Sequence, residues 1–213
     1  MPALHRRSFT AATATLGLFA LLPTAGAQTP DDATLAKALR AGGHILLIRH
    51  GATFNDQADT DPFNFKNVGA QRQLNDKGKA LAKAFGEALR EAGVPIGKVY
   101  VSQLHRAYET ASLAGFKDIE STVDLTLGGL VISPDEEGRR AEALRAMLAT
   151  PPQAGTNTLL VTHKPNILEA LGQDWWSVKE GEAGIFRPEN GKYVLVARVQ
   201  MADWPRIAKV VTH

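Results

Sequence analysis

His44-Ile45-Leu46-Leu47-Ile48 runs without a break into Arg49-His50-Gly51-Ala52-Thr53. The largely apolar run 44–48, with Gly42-Gly43 before it and Gly51 after it, has the pattern of a strand buried on both faces. Such strands occur in parallel sheets covered by helices. Two later stretches repeat the arrangement. A strand over 98–102 leads into Ser102-Gln103-Leu104-His105-Arg106-Ala107, and a strand over 158–162 ends in Leu160-Val161-Thr162-His163. In an open α/β sheet the loops beyond the carboxyl ends of the strands share one crevice, so these three basic strand ends can converge.

Outward from these strands, the sequence alternates. Helices are predicted over 33–41, stopped by Gly42 and Gly43, and over 76–92, with Leu81, Ala84, Phe85, Ala88 and Leu89 on one face and Gly93 and Pro95 ending it. Further helices are predicted over 105–113, over 136–148 with a cap near Ser133 or Asp135 and Pro134 in the first turn, over 165–171, and over 202–210. An edge-like strand over 119–125 leads to a Gly128-Gly129 loop, and strands over 183–187 and 193–199 flank the turn Pro188-Glu189-Asn190-Gly191. Residues 51–76 lack periodicity, and a connection of that length in a compact domain is often functional. The expected fold is α/β, a three-layer sandwich whose mostly parallel sheet carries helices on both faces.

The first 27 residues read as a leader: His5-Arg6-Arg7-Ser8-Phe9 is basic, residues 11–22 are uncharged and largely apolar, and Ala25-Gly26-Ala27 is a small-residue cleavage pattern. Arg6-Arg7 with Phe9 resembles a twin-arginine signal. The expectation is a periplasmic or secreted domain of residues 28–213, without membrane insertion after leader removal. The chain has 24 Lys and Arg against 22 Asp and Glu, and the leader contains two of the Arg, so residues 28–213 balance. Overall charge therefore gives no support to a nucleic-acid partner. The chain has no cysteine, which excludes disulfides, thiolate catalysis and Cys-based zinc sites. Neither a His-Glu-x-x-His pair nor a carboxylate cluster at ligand spacing occurs, so no metal and no cofactor are expected. The sequence carries no signal of oligomeric state.

A histidine that attacks phosphorus must be held in one tautomer and given counter-charge for the phosphoryl oxygens. Arg49 and Arg106 are suited to this because a guanidinium binds phosphate through two donors and stays charged. Neighbouring cations also lower an imidazole's pKa, keeping His50 neutral and nucleophilic. His163, at a third strand end, is placed to donate a hydrogen bond to the same group.

Arg49-His50-Gly51-Ala52-Thr53, then Leu74-Asn75-Asp76-Lys77-Gly78, then residues 101–111 with Ser102, His105, Arg106 and Thr110, and finally Val161-Thr162-His163 resemble, in that order, the histidine phosphatase superfamily, also called phosphoglycerate mutase-like. The resemblance implies His50 as the phosphorylated nucleophile and Arg49, Arg106 and His163 as the phosphate pocket. The chain departs from the family pattern at three points. Asp56 stands where many members carry an asparagine, with Asn55 one residue early. Lys164 replaces a common glycine after the last histidine, where it either adds a phosphate contact or points to solvent. Asp124-Leu125-Thr126-Leu127 lacks the family's proton-donating glutamate. The candidates for that acid are Asp135, Glu136, Glu137 and Glu182, with Glu136 chosen.

The expected activity is that of an exported, metal-independent phosphomonoesterase acting through a phosphohistidine on a small phosphorylated substrate such as a phosphosugar. The alternatives are a non-catalytic phosphate- or phosphosugar-binding module and a phosphohistidine-protein phosphatase. The chain's length leaves no room for the large cap of the phytase-like branch. His44 and His105 read as structural or exposed, and Trp175 and Trp176 either pack on the core or line an entrance.

Overall fold

The computed structural model describes residues 30–128 and 133–210, so the expected leader, Gly129 and His213 lie outside the described residues. The order of elements is α1 (Asp32–Ala41), β1 (Ile45–Arg49), α2 (Asp76–Glu91), β2 (Ile96–Ser102), α3 (His105–Leu113), β3 (Ile119–Thr122), α4 (Pro134–Ala149), β4 (Asn157–Thr162), α5 (Lys164–Leu171), β5 (Glu182–Glu189), β6 (Lys192–Gln200) and α6 (Trp204–Lys209). They build one six-stranded sheet in the order β3-β2-β4-β1-β5-β6. The strands β3, β2, β4 and β1 are mutually parallel, whereas β5 runs antiparallel to both β1 and β6. The sheet is therefore mixed and mostly parallel.

Alternation along β1 divides the core into two layers, as a side-chain period of two requires. Leu46 and Ile48 join Phe85, Leu89, Ala107 and Trp204 under α1, α2, α3 and α6. Ile45 and Leu47 face the opposite way, joining Leu144, Leu148, Ile167 and Trp175 under α4 and α5. These four apolar β1 side chains are fully buried, each contributing roughly 1.5–3 kcal/mol through removal of apolar surface from water.

Two end regions differ from the sequence reading. The strand expected over 119–125 stops at Thr122, whose hydroxyl accepts the Asp124 N–H and starts a 3-10 turn at Val123–Leu125. The last helix likewise begins as a 3-10 turn, Met201–Asp203, ahead of α6. The turn between β5 and β6 follows its sequence, with Asn190 and Gly191 at φ of 51° and 73°, a conformation that these two residue types tolerate best.

Candidate active site

The parallel register aligns Arg49 of β1 with Thr162 of β4, so His50 and His163 leave the sheet side by side. Their rings lie 5.1 Å apart, and each residue is 1% exposed. His50 N–H also continues the ladder, donating to the Thr162 carbonyl at 3.0 Å. The adjoining strand β2 ends at Ser102, and the first turn of α3 after it delivers Arg106, whose side chain is fully buried.

Glycine and asparagine at the start of α2 hold the backbone beyond His50. Asn75 caps the helix by accepting the Gly78 N–H at 2.9 Å, while its own side-chain amide donates to the Thr53 carbonyl at 2.8 Å. The helix presses so closely on this loop that a Cβ on Gly78 would sit 2.1 Å from the Ala52 carbonyl oxygen. Thr110 of α3 secures the same loop from the other side, accepting the Gly51 N–H at 3.0 Å and donating to the Arg106 carbonyl at 2.7 Å.

These contacts fix the chemistry of the two rings. His50 Nδ1 lies 2.8 Å from the Gly51 carbonyl oxygen. A carbonyl only accepts, so Nδ1 carries the proton and Nε2 holds the lone pair. Burial, foremost, and then the charges of Arg106, Arg49 and Arg72 hold His50 well below the ordinary histidine range, despite the opposing Gly51 hydrogen bond. His163 is lowered in the same way, by burial first and then by Arg106, His50, Arg72 and Arg49. Both imidazoles are neutral near pH 7.

Among the described residues, five buried side-chain polar atoms have no hydrogen-bond partner, and three of them belong to this cluster: Arg49 Nε, Arg106 Nε and His163 Nδ1. The remaining atoms of these groups are engaged. Arg49 Nη1 donates to the Val178 carbonyl at 2.8 Å, and its Nη2 lies 3.5 Å from Glu180 Oε1. Arg106 spends Nη1 and Nη2 on Asp59 at 2.8 and 3.1 Å. His163 Nε2 meets the Ser102 hydroxyl at 2.7 Å, and that hydroxyl also accepts the Leu104 N–H at 3.1 Å. Buried polar nitrogens of this kind are costly unless they meet a partner, and three of them on residues that neighbour or act on His50 suit a compact anion with several oxygens.

The structure thus brings Arg49, His50, Arg106 and His163 together, and it separates Glu136 from the role expected of it. Glu136 Oε1 and Oε2 accept from Arg139, and Oε1 also from Arg140, at 2.7–2.9 Å. Arg139, and next Arg140, pull its carboxyl down to about 2, whereas a proton donor needs the opposite shift. Glu182 is a structural residue, buried and engaged by Arg198, Gln200 and the Lys179 N–H. Asp135 and Glu137 share the first turn of α4 with Glu136. Lys164 Nζ lies 4.4 Å over the exposed ring of Trp176. Trp175 is buried against Phe186 while Trp176 is 63% exposed. Asn55 and Asp56 are both exposed.

Sequence reasoning missed Arg72, whose charge acts on both histidines, and two carboxylates of the cluster, Asp59 on Arg106 and Glu180 on Arg49. Arg72 and Asp59 lie in the long aperiodic stretch, whose length was the one available signal. Among the described residues no group of three His, Cys, Asp or Glu side chains could hold a metal ion, and no helix is long and apolar enough to cross a membrane. A cavity of about 480 Å³ bordered by Lys98, Tyr100, Met147 and Pro152 contains none of the cluster residues.

Residues 45–128 match the histidine phosphatase superfamily (branch 1). Over 74 residues the chain is 39% identical to the mitochondrial serine/threonine-protein phosphatase Pgam5 of Drosophila virilis, a match covering 35% of this chain and 22% of that protein. Over 72 residues it is 40% identical to a 2,3-bisphosphoglycerate-dependent phosphoglycerate mutase of Corynebacterium glutamicum, covering 34% and 27%. The chain thus spans about a quarter of the length of these curated relatives. The solved structure of the protein histidine phosphatase SixA complexed with tungstate shares the fold, with a TM-score of 0.55 at 19% identity over 75% of this chain and 98% of that one. Over residues 45–128 the chain thus matches the histidine phosphatase superfamily model, and its α/β architecture is the fold shared with SixA.

Proposed function

We propose that the protein is an exported phosphomonoesterase that transfers a phosphoryl group to His50 Nε2 and then to water. The observation that carries this reading is the trio of buried, unpartnered donors, Arg49 Nε, Arg106 Nε and His163 Nδ1, around a histidine whose Nε2 is the free lone pair. In the first step Nε2 attacks phosphorus, the P–N bond forms, and the P–O bond of the ester breaks with its electron pair leaving on the alkoxide or phenoxide. Arg49, Arg106 and His163 neutralise the peripheral oxygens throughout, with Arg72 adding charge. For His163 to donate from Nδ1, its Nε2 must accept, and the Ser102 hydroxyl is positioned to give it that proton. Three guanidinium groups supply the counter-charge in this scheme, so no metal is required.

One observation favours a narrower substrate class. Glu136, the expected proton donor, is held ionised by two arginines, which leaves the first step best matched to leaving groups that need little protonation. Aryl phosphates and phosphohistidine side chains are of this kind, and the neighbouring fold of SixA is that of a protein histidine phosphatase. The test is turnover of an aryl phosphate, an alkyl phosphate and a phosphohistidine peptide by wild type and His50→Ala. Hydrolysis of the first and third, lost in the variant, is expected. Phosphate binding without release, unaffected by His50→Ala, would make the protein a binding module instead. Export is supported by the basic start, the apolar run and the Ala25-Gly26-Ala27 pattern. A mature amino terminus near residue 28 is the expected result of sequencing, and retention of residues 1–27 would remove export from the account.

A further inference from the structure

Two carboxylates touch the cations of the site, and they are built differently. Glu180 is tied to the backbone after His50: Oε1 accepts the Thr53 hydroxyl at 2.6 Å and Oε2 the Thr53 N–H at 3.3 Å. Asp59 instead closes on Arg106. Its Oδ1 accepts from Arg106 Nη1 at 2.8 Å and from the Arg72 N–H at 3.0 Å, while its Oδ2 accepts from Arg106 Nη2 at 3.1 Å. A carboxylate oxygen offers two acceptor positions, so Oδ2 retains one beyond this bond.

A guanidinium is flat, and its edges are distinct binding surfaces. Asp59 occupies the Nη1–Nη2 edge of Arg106, and Nε on the adjoining edge is the buried donor without a partner. An anion paired with Nε would sit on the edge of Arg106 next to the one that Asp59 occupies. Exposure points the same way. The Arg106 side chain is fully buried, whereas Asp59 is 23% exposed, which places the carboxylate at the edge of the site that water reaches.

We propose that Asp59 is the general base of the second half-reaction, taking the proton of the water that cleaves the phosphohistidine. The inference rests on the phosphoenzyme reading above. In the step, the water oxygen attacks phosphorus and the new O–P bond forms. The P–N bond breaks and its electron pair returns to His50 Nε2, while the water proton passes to Asp59 Oδ2 and then to solvent. Oδ2 keeps an acceptor position outside its Arg106 bond, and it is there that the water proton is received. A single carboxylate thereby assists hydrolysis of the phosphoenzyme without assisting its formation.

Rapid-quench kinetics with radiolabelled p-nitrophenyl phosphate separates the two half-reactions. Asp59→Asn keeps the side-chain shape and one acceptor for Arg106. It is expected to retain the burst of enzyme phosphorylation while hydrolysis of the labelled enzyme slows about 10²-fold. The slowing of that hydrolysis in deuterium oxide, expected in wild type, should vanish in the variant. Equal loss in both half-reactions with weaker binding of inorganic phosphate would show that Asp59 only holds Arg106, and would overturn the proposal. An unchanged hydrolysis rate in a labelled Asp59→Asn enzyme overturns this inference alone, whereas no label on wild-type His50 removes the phosphoenzyme reading and this inference with it. Should Asp59→Asn fail to fold, hydrolysis by wild type at equal rates in water and deuterium oxide is sufficient to reject the base.

Discussion

Two arginine–carboxylate clusters in this molecule look alike in sequence and opposite in structure. Around Glu136, the Arg139 donors Nε, Nη1 and Nη2 go to Glu136 and Asp124, and Arg140 donates to Glu136 and the Thr126 carbonyl. Arg139 is 48% exposed, and its donors are satisfied. Around His50, Arg106 is fully buried and Arg49 partly buried, yet each keeps a buried, unpartnered Nε. A surface ion-pair network contributes little beyond local order, because solvent screens it. A buried guanidinium with a donor in reserve carries a desolvation penalty that an incoming anion can offset. The sequence places carboxylates near both clusters, and the unspent donors are what distinguish a binding site from a brace.

The sharpest break between the two regions is the nucleophile. His50→Ala should reduce turnover on the order of 10⁴-fold or more, since removal of a covalent catalyst leaves only the binding contribution. The same conservative change in each cluster then compares them directly. Arg106→Lys keeps a cation but loses the unspent Nε donor and its planar neighbours, and kcat for p-nitrophenyl phosphate should fall about 10²–10³-fold. Arg139→Lys should leave kcat at the wild-type value. Equal effects at the two positions would erase the distinction drawn here.

Smaller effects sharpen it. Ser102→Ala removes one neutral hydrogen bond to His163, worth about 1 kcal/mol or roughly a fivefold change, and it should appear in kcat rather than in folding. The pH dependence follows from the two depressed histidines. Their folded-state values lie well below the ordinary 6.5, so the unfolded chain takes up protons first as pH falls. The stability they support is complete above about pH 6.5 and is lost progressively as pH drops through the folded values. Turnover limited by neutral His50 should therefore persist below pH 6.5, and the decline of Tm with acid should be shallower in His163→Asn. Glu136→Gln should change neither kcat nor its pH profile, because that carboxylate is already ionised and occupied.

The sheet was legible because its signal is local and redundant. Three apolar runs, each ended by glycine, serine or histidine chemistry, fixed β1, β2 and β4, and helix α3 matches its expected bounds of 105–113. Arg49, His50, Arg106 and His163 converge because parallel register carries strand ends to one edge. The proton donor was misread for a physical reason. Glu136 is three and four residues from Arg139 and Arg140 on one helix, a spacing that pairs side chains across a turn, and the sequence reading considered its position in the chain without its neighbours on the helix face. Asp59 and Arg72 were invisible because nothing periodic marks them. Their placement depends on the segment folding back on itself through contacts such as Thr60 N–H to the Ala70 carbonyl and Gln71 to the Phe65 carbonyl.

The most direct test is acid-quench-free trapping of the wild-type enzyme during turnover of a radiolabelled aryl phosphate, followed by peptide mapping. The account predicts an alkali-stable, acid-labile phosphoryl group on His50 that disappears on the timescale of turnover. Product release without any label on residue 50, or with the label on another side chain, would contradict it.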